Sequence, residues 1–217
     1  MRILLYTAVF DNYDKIQPLK PREHDVDAVV FCDRETNVPD GWEKVLVDKD
    51  AEPTARRLNR AVKMTPERFL HTGDYDVLVY VDGSMSPKTK LITDTRTWFS
   101  SNGLYEVVLF KHPERERVDQ EMEACVKLGK IEREIAKRLE PIVFKQNAPL
   151  WAGGFFARTQ ENSLGRKWWE LCCSHDCWRD QLMLPRAVFF WAREKKLLTI
   201  RRSVWQSPYW VFRSHGS

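Results

Sequence analysis

A chain of 217 residues with 43% hydrophobic and 30% charged residues has the make-up of an ordinary globular protein, long enough for one large domain or two small ones. No apolar run approaches the ~20 residues that span a bilayer, and five cysteines, an odd number at irregular spacing, argue against a disulfide framework. The net charge of +4 is uneven: residues 151–217 carry 11 Lys and Arg against 5 Asp and Glu, and the first 150 carry 24 against 26. A basic C-terminal third suits an anionic partner such as a nucleoside diphosphate or a nucleic acid, and equally a solvated helix face.

The first ten residues hold one charge and a short apolar stretch, and Asp11-Asn12-Tyr13-Asp14 follows at once. This reads as a strand over 2–9 and not as a signal peptide, so the expected location is the cytoplasm, bacterial or of a phage-infected cell. Strands are predicted over 28–32 and 44–47, and a helix over 53–63 with Pro53 near its first turn. The run from Tyr75 to Ser84 is the most informative. An apolar, β-branched strand over 77–81 ends abruptly in Asp82-Gly83-Ser84. Open α/β sheets bind ligands at the carboxyl ends of their strands, and a carboxylate there suits a hard cation holding a diphosphate. The same pattern also serves a capped turn.

Ser86-Pro87 reads as an N-cap followed by proline at the first helical position, opening a helix to about Phe99. A strand over 106–110 follows, then charged helices over 114–128 and 130–139 broken at Gly129. Residues 152–158 read as a strand with a Gly153-Gly154 kink, 162–173 and 179–195 as aromatic-rich helices, and 198–202 as a last strand. Strands alternating with helices predict an α/β fold with a mostly parallel central sheet flanked by helices, in one domain. The cluster Cys172-Cys173-Ser174-His175-Asp176-Cys177 lacks paired zinc-ligand spacing and reads as helical core.

Five blocks in this order carry a resemblance. They are Tyr6 to Asp14; Arg57-Leu58-Asn59-Arg60 with Lys63 and Pro66; Tyr75-Asp76 to Ser84; His112-Pro113-Glu114-Arg115 with Glu121 and Cys125; and Trp169 followed by Arg179-Asp180-Gln181-Leu182. The chain resembles the TOD/MUCI-type glycosyltransferase-like family, long catalogued as a domain of unknown function, over roughly residues 5–185. It departs at Asp11, where glycine is expected, and at Glu67, where histidine is expected. The expectation is also of a compact chain without the membrane anchor or long extension of the plant members, which puts their acceptors in doubt here.

The resemblance implies a GT-A-like, Rossmann-related domain with a donor-binding half over about 1–110 and an acceptor-side half over about 111–217. It implies that Tyr6, Thr7, Ala8 and Tyr13 meet the nucleotide, with Tyr6 and Phe10 equally readable as core. Asp33 then binds base or ribose, or else closes a turn. Arg57, Arg60 and Lys63 share a helix, and Arg57 and Lys63 are the expected diphosphate ligands. Asp82, Gly83 and Ser84 bind the donor, with Mn2+ or Mg2+ held by Asp82 and His215, or with Arg and Lys replacing a metal.

His112 is expected to reach the sugar or diphosphate, and Arg115 and Glu121 to form an ion pair. Asp180 and Gln181 act on the acceptor hydroxyl or stand beside the sugar; Asp180 at a helix start is also favoured by the helix dipole. Trp151, Trp168 and Trp169 line an acceptor cleft or the core. The expected function is sugar transfer from a nucleoside diphosphate sugar to a glycan or to a modified base in DNA. The alternative is a non-catalytic nucleic-acid- or sugar-binding module of the same fold.

Overall fold

The structure, a computed structural model, describes residues 1–19, 24–100, 104–143, 149–191 and 196–213. Seven strands form one sheet in the order β3-β2-β1-β4-β7-β6-β8. They are β1 (Ile3–Val9), β2 (Val26–Cys32), β3 (Glu43–Leu46), β4 (Val77–Val81), β6 (Val107–Phe110), β7 (Phe155–Thr159) and β8 (Leu197–Ile200). Strand β1 lies between β2 and β4, parallel to both, and every one of its residues is buried. That is why it reads as a continuous apolar run without alternation. The edge strand β3 is the polar Glu-Lys-Val-Leu, which leaves its free edge unattractive for pairing.

Strand β7 runs antiparallel to both neighbours, β4 and β6. It comes from the C-terminal half of the chain and is inserted among strands of the N-terminal half, so the two halves share one sheet. Among the described residues, five helices cover one face: α1 (Ala55–Met64), α3 (Val118–Lys127), α4 (Arg133–Val143), α5 (Leu164–Ser174) and α6 (Asp180–Trp191). Helix α2 (Thr89–Ser100) covers the other, beside a two-stranded ribbon of β5 (Met85–Pro87) and β9 (Trp210–Phe212). This is the expected α/β class, a mixed but mostly parallel, Rossmann-like sheet. No helix among the described residues is long and apolar enough to cross a membrane.

The ribbon corrects one expectation. Ser86-Pro87 does not open a helix. It pairs with Val211 and Trp210, and Lys88 N donates to Tyr209 O at 2.7 Å. Proline is tolerated on such a short edge because that position needs no amide donor. The partner strand lies more than 120 residues away, beyond the reach of a local signal. Helix α1 starts at Ala55 because the Thr54 hydroxyl accepts from Arg57 N at 3.2 Å, which leaves Pro53 outside it. Helix α3 begins at Val118 rather than 114, and the break at Gly129 is a left-handed residue with φ +64°. The end of the helix expected over 179–195 lies outside the described residues.

Candidate functional site at the strand ends

Three blocks far apart in sequence meet where the parallel strands end. Helix α1 brings Arg60 and Lys63, and the first residue of α6 is Asp180. Arg60 Nε lies 3.1 Å from Asp180 Oδ1, and Lys63 Nζ donates to Asp180 Oδ2. Lys63 is 2% exposed and Asp180 5%. The Lys63 ammonium sits 4.8 Å from the ring centre of Trp168 and 5.4 Å from that of Tyr80, so its open sides face aromatic π clouds. Trp168 Nε1 also donates to the Asp180 carbonyl at 2.8 Å, fixing the start of α6. The Tyr6 hydroxyl donates to Lys63 O at 2.7 Å, fixing the end of α1.

The third block is the turn after β4. Asp82 N donates to Gly154 O at 2.8 Å, and Met85 N to Asp82 O at 2.8 Å. Gly153 joins this turn to the ion pairs. A Cβ there would lie 2.8 Å from Gln181 Cγ, 3.2 Å from Lys63 Nζ and 3.4 Å from Asp180 Oδ2. The Gly-Gly pair is therefore a close approach of backbone to a charged cluster, not only a strand kink. Gly83 is packed likewise, its absent Cβ facing Val9 Cγ2 and Asp14.

The electrostatics follow from burial. Burial pushes the Asp180 carboxyl up, but Arg60 and Lys63 outweigh it and hold the pKa at about 2. Burial lowers the Lys63 ammonium, opposed by Asp180 and helped by the charge of Arg60. The field of Asp82 reaches Arg60, Lys63 and Tyr80, and burial raises the Tyr80 phenol well above its usual value.

Several expected site residues fall elsewhere. Tyr6, Thr7 and Ala8 are buried in β1. Tyr6 packs edge-on against Phe31 and Tyr80, and the Ala8 carbonyl accepts from Asn59 Nδ2 at 2.7 Å. These three support the site from inside, whereas Tyr13, on the loop after β1, has an exposed ring. Asp33 staples that loop. Its Oδ2 accepts from Asp11 N at 2.7 Å, and its Oδ1 from the Thr36 amide and hydroxyl at 2.9 and 2.7 Å. Burial pushes its pKa up, but these hydrogen bonds and Lys49 bring it below the ordinary value. Asp11, where glycine was expected, has φ +55°, so the backbone shape glycine favours is kept. Glu67, the other departure, pairs with the buried Arg158 at 2.6 Å.

Arg57 is not a member of the Asp180 cluster. Its Nε pairs with Glu52 at 2.6 Å, and its guanidinium lies 4.4 Å from the ring centre of Trp178. At about 100° per residue, positions 57 and 63 stand ~120° apart around the helix, whereas positions 60 and 63 stand ~60° apart. His112 is also enclosed. Its Nδ1 accepts from the Glu114 and Arg115 amides at 3.2 and 3.0 Å, and its Nε2 faces Glu121 at 3.7 Å. Burial lowers its pKa. Arg115 and Glu121 do form the expected pair, at 2.6 Å. Trp151 and Trp168 are core, and Trp169 stacks tilted on Trp178. Gln181 Nε2 reaches Trp151 O at 3.4 Å beside Gly153.

Among the described residues, no three of His, Cys, Asp and Glu are grouped to hold a metal ion. Asp82 supplies one carboxylate, and both oxygens of Asp180 are already ion-paired. Among the described residues this donor set does not by itself make a Mn2+ or Mg2+ site; His215, the second expected ligand, lies outside them. Fold and cluster together define a Rossmann-like α/β protein with a polar site at the carboxyl rim of its sheet. No protein-family model matches the chain, and no curated protein matches it either.

Proposed function

We propose that the chain is a nucleotide-sugar-dependent glycosyltransferase of GT-A-like architecture, a hexosyl- or pentosyltransferase acting on an acceptor hydroxyl. The observation that carries this reading is the convergence of Arg60 and Lys63, the Asp82–Ser84 turn and Asp180-Gln181 around Gly153-Gly154. Such a rim is where open α/β sheets take nucleotides. In the reaction, the acceptor oxygen bonds to the anomeric carbon as the bond from that carbon to the diphosphate breaks. The electron pair leaves on the diphosphate, and the hydroxyl proton passes to it or to water.

Asp82 and Ser84 contact the donor. Arg60, with 19% of its side chain exposed, touches the leaving phosphate, while the enclosed Lys63 acts through its field. A carboxylate with a pKa of about 2 is a weak proton acceptor at neutral pH. Asp180 therefore holds the two cations in place, with Gln181 beside the sugar, in preference to acting as general base. The acceptor hydroxyl belongs to a glycan or to a hydroxymethylated base in DNA.

A thermal-shift series over nucleoside diphosphate sugars, with and without Mn2+, tests this. The matching donor is expected to raise the melting temperature by about 5–10 °C at 100 times its Kd, and the Mn2+ arm reads any need for a cation. Asp82→Asn is expected to leave the ligand-free melting temperature within about 2 °C, because Asp82 is only half-buried. It should cut nucleoside diphosphate release by about 100-fold or more. No shift with any donor, together with no release, leaves the non-catalytic binding module as the reading.

A further inference from the structure

We propose that β9 and the segment leading into it form a platform for single-stranded nucleic acid, laid against the Asp82 turn. That this strand is the acceptor rests on the glycosyltransferase reading; the binding itself does not. Residues 196–213 contain Lys196, Arg201, Arg202 and Arg213 and no Asp or Glu. The three arginines are exposed. Between them stand two exposed aromatic side chains, Trp205 at 45% and Phe212 at 36%, their ring centres 6.3 Å apart and tilted by 40°.

The segment does not need those two rings to fold. Its inward residues do that work: Trp210 stacks on Phe155 at 5.4 Å, and its Nε1 donates to Val204 O. Tyr209 packs edge-on against Phe110 at 5.8 Å and donates its hydroxyl to Asp94 at 2.9 Å. The outward rings are left on a well-anchored surface, in a segment that also exposes Arg201, Arg202 and Arg213. A π face beside guanidinium groups is the pairing that an unpaired base with its phosphates offers in complement. Duplex DNA hides its base faces, so the platform selects a single strand or an extruded base.

Its place in the fold gives the platform a use. Phe212 pairs with Met85, and Arg213 N donates to Ser84 O at 2.9 Å. A strand stacked on Trp205 and Phe212 therefore lies beside the turn that presents Asp82.

Fluorescence anisotropy with a labelled dT20 oligonucleotide tests the proposal. Binding at 50 mM NaCl is expected, with a slope of about −2 in log K against log salt for three phosphate contacts. Trp205→Ala and Phe212→Ala should each weaken it about tenfold, with Trp205→Phe restoring most of the loss. Arg201→Ala with Arg202→Ala should flatten the slope to about −0.7. No binding at 50 mM, equal affinity for a duplex, or unchanged affinity in both aromatic variants would overturn the proposal. So would a polyuronate that displaces the oligonucleotide from wild type and Trp205→Ala alike. The donor thermal shift of the wild type, set beside its oligonucleotide binding, separates the two readings. A normal donor shift without oligonucleotide binding rejects the platform alone, and oligonucleotide binding without any donor shift rejects the transferase alone.

Discussion

Replacing Asp180 by alanine is expected to cost about 3–5 kcal/mol of stability, because it strands two cations in a buried site. Lys63 is almost wholly enclosed, and Arg60 has only a fifth of its side chain open to water. Urea denaturation measures the loss. The double variant Asp180→Ala with Lys63→Met should recover much of it, since the Tyr80 and Trp168 rings that flank the ammonium accept an apolar chain. It should not recover nucleoside diphosphate release. Recovery of both would make the cluster a stability device and remove it from the proposed chemistry.

The same carboxylate sets an acid limit. Its pKa falls from 3.8 to about 2 on folding. A depressed carboxyl pKa adds stability above the unfolded value and loses it as the pH falls through the folded one. About 2 kcal/mol should therefore disappear between roughly pH 4 and pH 2. Lys63 works against this at neutral pH. Its pKa is lowered by burial, so its charged form is costlier folded than unfolded. Stability of the wild type followed from pH 5 to pH 2 should fall more steeply than that of Asp180→Ala/Lys63→Met.

Gly165→Ala is expected to be the most damaging conservative change, at about 3 kcal/mol. A Cβ at this position in α5 would overlap the Met64 carbonyl oxygen at the end of α1 and meet Arg158 Nε at 3.4 Å. Backbone cannot swing aside as a side chain can, so α1 must move, and Arg60 and Lys63 move with it. Donor affinity should fall along with stability. Gly129→Ala is the comparison. It has open space around it but φ +64°, so about 1 kcal/mol is expected, with donor binding unchanged. Equal losses from the two changes would show that the helix contact yields easily.

The residues of β1, β2 and β4 announce buried parallel strands by themselves. Long runs of Ile, Leu and Val without alternation have no other stable place than the inside of a covered sheet. The end of β4 at Asp82 and the break at Gly129 were legible for the same local reason, since a carboxylate or a left-handed glycine stops an element where it stands. The α/β class follows from the order of such elements along the chain.

Other features needed the tertiary structure. The antiparallel course of β7 and the β5–β9 ribbon depend on partners scores of residues away, and strand direction leaves no mark on composition. Arg60, rather than Arg57, joins Lys63 because Glu52 and Trp178 claim the one and Asp180 the other. Tyr6 and His112, residue types suited to a nucleotide site, became supports when burial closed around them. The sequence alone marked the buried strands β1, β2 and β4 and the stops at Asp82 and Gly129. Which charged groups meet was decided only by packing, because an ion pair forms between whatever the folded chain brings within reach.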